Sequence, residues 1–224
     1  VASEPRMRPL FLKYAAADIK AQATDGRELA PSNRDAQYDV PLGEGGRFLR
    51  GSVDFVVPAD EPYPQINLRG KLLMQTAAGS EHIRFTNLPR AEGVARRRGG
   101  VTVTLQRVAY KQSEEPTSRD AAEQDVSLQV AVVYDTGGPA FESHRTWIFH
   151  NEVWLEDAEG KQLPPNGGYT TELQGDGIVS VTYRFRNVPG RLGDYSFVYV
   201  APTLIIDAPV EFNFTGLPVG RMMK

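Results

Sequence analysis

The chain has 224 residues, no cysteine, and a formal net charge of −3 from 25 Lys+Arg against 28 Asp+Glu. The length suffices for one large domain or two of about 100 residues, and the balanced charge argues against a nucleic-acid binder, which carries a basic face. The absence of cysteine excludes disulfides, thiolate metal sites and cysteine nucleophiles, and no stretch approaches the roughly 20 apolar residues of a membrane-spanning helix.

Taken in order, the chain opens "VASEPRMRPL" without a Met, which reads as an excised fragment, so the absence of a signal peptide carries no weight. "IKAQATDGRELAP" (19–31) carries Asp25-Gly26 between two short runs, the signature of a hairpin turn. "GEGG" (43–46) lacks the Lys-Ser/Thr of a phosphate loop and is expected to be a turn. "FVVP" (55–58), "LLMQT" (72–76) and "FTNLP" (85–89) follow; Phe85 is expected to point inward and Pro89 to end its strand. "AEGVARRRGG" (91–100) reads as a linker, with Arg96, Arg97 and Arg98 solvated.

Beyond it, strands are expected at about 101–110, 126–134, 145–156, 168–173, 178–186, 194–206 and 209–215. Val126, Leu128, Val130, Val132 and Tyr134 share one face of the second, and Val179, Val181, Tyr183 and Phe185 one face of the fifth. "VTVTLQRVAY" alternates through Leu105 and then shifts phase by Val108, which predicts a bulge. The polar stretch 111–125 and the "NGG" at 166–168 read as loop and turn.

Five landmarks recur in the same order. "IKAQATDGRELAP" lines up with "VWLEDAEGKQLPP" (153–165), "FVVP" with "FRNVP" (185–189), "LLMQT" with "TLIID" (203–207), and "FTNLP" with "FTGLP" (214–218), where Phe214 is also expected inside. The offset drifts only between about 129 and 134. That marks an internal duplication. The expected fold is all-β: two tandem immunoglobulin-like antiparallel β-sandwiches, at 1–90 and 101–224, joined by 91–100. The first copy has under twenty residues upstream of its first landmark against some fifty in the second, so it is either cut at its N-terminus, the favoured reading, or a shortened version of the domain.

"GDYSF" (193–197) resembles the tyrosine-corner pattern of the immunoglobulin-like superfamily, with Phe197 where antibody domains have their second cysteine and Trp147 on the third strand. "FESHRTWIFHNEVWLEDAEGKQLPPNGGY" with "DYSFVYVAPTLIIDAPVEFNFTGLP" is similar to planctomycete-type bacterial proteins with tandem immunoglobulin-like domains, themselves close to modules of the DUF4352 type. That resemblance implies an exported sandwich, and it brings no catalytic residues with it.

The chemistry-bearing residues are few. His144 and His150 stand six apart; on an extended strand that separates them by roughly 20 Å, too far to share one metal, whereas a turn would bring them together with Glu142 or Glu152. Glu156, Asp157 and Glu159 sit in a hairpin turn without the alternating oxygen ligands of a calcium loop. Ser143 next to His144 points to the opposite strand face, and no G-x-S-x-G occurs. No catalytic residue, cofactor or metal is expected. The aromatic residues concentrate in the second copy, and an exposed row including Trp154 or Tyr169, flanked by His144 and His150, is the candidate surface for a partner or ligand. The expected function is a non-catalytic binding or spacer module of an exported or envelope protein. Its partner would be a protein or cell-envelope component. Carbohydrate binding is the alternative and a hydrolytic enzyme the third reading.

Overall fold

The computed structural model describes residues 7–41, 50–57, 64–114, 123–135, 145–175 and 178–219, with the backbone alone at 41, 145–147 and 173–175. Among these residues the protein is all-β, and its described strand pairings are antiparallel. In chain order the strands are β1 (Arg8–Ala15), β2 (Ile19–Ala23), β3 (Glu28–Leu29), β4 (Gln37–Pro41), β5 (Gln65–Phe85), β6 (Ala95–Arg98) and β7 (Val101–Gln112). They continue as β8 (Glu123–Tyr134), β9 (Val153–Glu156), β10 (Gln162–Leu163), β11 (Tyr169–Gly175), β12 (Ile178–Pro189) and β13 (Ser196–Pro218). The chain forms two compact units, Val1–Ala77 with Ile205–Lys224, and Ala78–Leu204. The division falls inside the two longest strands, β5 and β13.

The first unit is built on β5. Along one edge β1 pairs it at Leu12↔Met74 and β2 at Ala21↔Leu68, and β13 is its hydrogen-bonded neighbour on the other. Lys71 and Glu211 form an ion pair at 2.6 Å, and Gln75 Nε2 donates to Asp207 Oδ1 at 3.2 Å. Buried Leu12, Tyr14 and Ile19 gather half-buried Leu68, Leu72, Met74 and Phe212 around them. Gly70 is required where it stands, because a Cβ there would meet the Phe212 ring at 2.9 Å and the Asp18 carbonyl oxygen at 3.0 Å. The Tyr14 ring stacks on Tyr38, centroids 4.8 Å apart. Its hydroxyl donates to the Ser52 carbonyl and accepts from the Ser52 N–H, which fastens 51–53 to β1. No second sheet covers this apolar face among the described residues.

The second unit has two layers. One sheet runs β10-β9-β13-β5 and the other β11-β12-β8-β7-β6. Alternation places Val101, Val103 and Leu105, then Val126, Leu128, Val130, Val132 and Tyr134, then Val179, Val181, Tyr183 and Phe185 in the interior. Rings from both sheets meet at Phe197, whose centroid lies 6.2 Å from Phe85, 6.3 Å from Tyr183 and 6.4 Å from Phe185. The register of β7 against β8 shifts between Leu105 and Arg107, the bulge that the change of phase predicted. Tyr195 Oη donates to the Pro189 carbonyl at 2.9 Å, so the hydroxyl ties the start of β13 to the end of β12 as a tyrosine corner does.

The hairpins β2–β3 and β9–β10 have the same register. Ala21↔Leu29 and Gln22↔Glu28 return, each number larger by 134, as Leu155↔Leu163 and Glu156↔Gln162. Their turns match too: Gly26 N donates to Ala23 O and Gly160 N to Asp157 O, with φ of 90° and 84° at the two glycines. Asp25 Oδ1 accepts from Arg27 N, and Asp157 Oδ1 from Lys161 N, closing each turn.

Several expectations need correction. Residues 91–100 are not a boundary: Ala95–Arg98 form β6, paired with β7 inside the second unit. All four side chains of β6 are exposed, so no alternation betrayed a strand. Residues 145–150 form a 3-10 turn, and only Val153–Glu156 of the expected strand are extended. The strands expected at 194–206 and 209–215 are the single β13. Phe85 is inside at 1% exposure, but Phe214 stands 50% exposed, with no second layer over it among the described residues.

Candidate functional site

The strongest grouping of polar and aromatic side chains lies on the outer face of the β10-β9-β13-β5 sheet in the second unit. In β9, Val153 and Leu155 are buried, which turns Trp154 and Glu156 outward. The β5 residues His82 and Arg84 share the exposed side of their strand, alternating with buried Ile83 and Phe85. Arg84 Nη1 reaches Glu156 Oε1 at 2.7 Å, and Trp154 Nε1 donates to Glu156 Oε2 at 3.0 Å. The His82 ring meets the Trp154 indole edge-on at 5.8 Å. Val198, directly across from Trp154, is fully buried.

The charge arrangement sets what the cluster does. Hydrogen bonds from Arg84 and then Trp154 hold the Glu156 carboxyl below the usual carboxylate range. It is ionised at neutral pH with both oxygens engaged, and its side chain is only 16% exposed. A carboxylate so bound braces two strands; it is not poised to transfer protons.

A second polar grouping lies within the unit. Asn151 is buried and its Nδ2 donates to Tyr199 Oη at 2.7 Å, leaving Asn151 Oδ1 without a partner among the described residues. The buried Tyr183 hydroxyl likewise has none, and burial raises its pKa well above the ordinary phenol value. Tyr169, directly across from Tyr183, is 46% exposed and stacks on Phe149, centroids 5.8 Å apart at 13°.

Of the candidate surface residues, Trp154 and Tyr169 do not share a face. Trp154 lies on the outer face of one sheet and Tyr169 on an edge strand of the other. His150 is half-buried in the turn 145–150, and His144 lies outside the described residues, as does the Trp147 side chain. Tyr199 is fully buried. So no flat row of exposed rings forms among the described residues, nor any group of three His, Cys, Asp or Glu able to hold a metal. Sequence reasoning missed Arg84 and His82 as companions of Trp154. Only their common parity in "EHIRF" hinted at a shared face, and nothing local placed that face near β9.

Comparisons of the chain with family models, with curated proteins and with solved structures find no match.

Proposed function

We propose that the protein is a non-catalytic structural module of an exported or envelope-associated protein, built from two immunoglobulin-like repeats and acting through protein–protein contact. The tyrosine corner at Tyr195 and the matched hairpins support the repeat reading. The resemblance to bacterial tandem-domain proteins supports export.

The observation that carries the contact reading is the apolar side of β13 in the first unit. Phe214 is 50% and Ile206 44% exposed, and Phe212 beside Phe214 is half-buried with centroids 5.5 Å apart. The counterparts of Phe212 and Phe214 at the end of β5, Ile83 and Phe85, are each 1% exposed under a second sheet. A face that one repeat buries and the other leaves open is suited to a partner protein, since exposed apolar patches mark interaction surfaces.

The test pairs wild type with Ile206→Asp/Phe214→Asp in sedimentation velocity and in binding of an apolar dye. The reading expects concentration-dependent association and dye binding, both lost in the variant. A wild type that stays monomeric and takes up no more dye than the variant would count against it. The half-exposed Tyr169 platform favours sugar stacking as a second reading, which a glycan array with Tyr169→Ala as control would decide.

A further inference from the structure

The two repeats do not end where their sequences end. The first repeat's closing phrase, "FTNLP" with Phe85, belongs to the second compact unit, while the second repeat's "FTGLP" with Phe214 belongs to the first. We infer that the repeats have exchanged their last strands, each long strand starting in its own unit and finishing in the other. This rests on the repeat reading above.

Three observations carry it. Within the second unit, β9 pairs β13 at Leu155↔Phe197, and the neighbour on the other side of β13 is β5, whose Phe85 ring packs on Phe197 at 6.2 Å. Within the first unit the roles reverse. There β2 pairs β5 at Ala21↔Leu68, and the neighbour on the other side of β5 is β13, whose Phe212 ring closes on Gly70. Residues 21 and 155 are counterparts in the duplication, and Leu68 and Phe197 hold the same place opposite them, so the same three-strand arrangement is built twice, each time with its third strand taken from the other repeat. The third observation is local. Leu204, the last residue of the second unit, has φ of 50° in the middle of β13, a left-handed conformation that disturbs the strand where it passes from one unit to the other.

The consequence is that neither repeat is autonomous as its sequence is written. A chain holding only the second repeat would present 205–218 with no unit to join, and the 196–204 edge without its neighbour. Such an unpaired edge recruits a strand from another molecule. The exchange makes the ends of β5 and β13 donor strands.

Disulfide trapping tests this in the full chain, which has no cysteine of its own. Lys71→Cys with Glu211→Cys, and separately Gln75→Cys with Asp207→Cys, replace exposed or half-buried pairs that face each other on β5 and β13. Far-UV circular dichroism of the reduced variants checks that the fold is kept. Exchange within one chain expects both pairs to oxidise to a faster-migrating monomer on non-reducing gels. No bridge in either pair overturns the exchange and leaves the repeat reading standing, because each repeat would then keep its own last strand. Bridges only between chains also overturn it, placing the exchange between molecules.

Discussion

Phe85 and Phe214 open the matching phrases "FTNLP" and "FTGLP", so replacing each with alanine tests the difference between a covered and an open sheet face. Phe85 is 1% exposed, packs on Phe197 at 6.2 Å, and has the Arg96 guanidinium carbon 5.7 Å from its ring centroid. Truncating a buried phenylalanine costs about 3–5 kcal/mol, because the lost transfer energy is joined by a cavity that neighbours only partly fill. The guanidinium over its ring adds roughly 0.5 kcal/mol at an exposed site. Phe214 is 50% exposed, so about half of a phenylalanine's burial energy is at stake, roughly 1 kcal/mol, and water enters the space without leaving a cavity. The expected gap between the variants is therefore about 2.5–4.5 kcal/mol. Urea unfolding followed by far-UV circular dichroism reads it as a large fall in midpoint for Phe85→Ala and a small one for Phe214→Ala. Equal falls would refute the reasoning, since they would require a layer over Phe214 equivalent to the one over Phe85.

Three further outcomes follow from single contacts. Tyr195→Phe removes the bond to the Pro189 carbonyl and is expected to cost about 1 kcal/mol in urea unfolding, leaving the dichroism spectrum unchanged. Tyr183→Phe deletes a buried hydroxyl that has no described partner, so it is expected to be neutral or to stabilise by up to about 1 kcal/mol; a loss of stability would reveal a bond to that hydroxyl. In ultraviolet titration the Tyr183 phenol should stay protonated after exposed tyrosines have ionised, because burial raises its pKa. Glu156→Gln breaks the link to Arg84 and should cost about 1 kcal/mol at neutral pH. The folded carboxyl is held below its unfolded value, so this stability is present above the ordinary carboxylate range and disappears as pH falls through the lowered folded pKa. Wild type and variant should therefore converge in acid; a constant difference down to that range would show that the charge contributes nothing.

Local pattern made the strands of the second unit legible. Val126 through Tyr134 and Val179 through Phe185 alternate because one face of each lies against another layer; every residue read as inward is buried, and Ala131 and Ser180 of the opposite parity are buried as well. The bulge after Leu105 showed in the same pattern. The β6 strand was hidden because its four side chains are all exposed, so no alternation marks it. The 3-10 turn at 145–150 was hidden by apolar and aromatic residues that suit a strand equally well. Above all, the course of β5 and β13 was not readable. Alternation tells which residues face inward but not which unit's interior they face, so "FTGLP" gave no sign that it finishes a unit begun some two hundred residues earlier. The Arg84–Glu156–Trp154 cluster was concealed for a related reason: its members lie on strands brought together only by the shared neighbour β13.

The most direct test of the shared strands is hydrogen–deuterium exchange by mass spectrometry on the full chain carrying Phe212→Asp, a charge placed in the part of β13 that belongs to the first unit. The account expects protection to fall in β1, β2 and residues 65–77, with β7, β8 and β12 keeping theirs. Loss concentrated in β7, β8 and β12, with β1 and β2 unchanged, would contradict it by showing that the end of β13 completes the second unit.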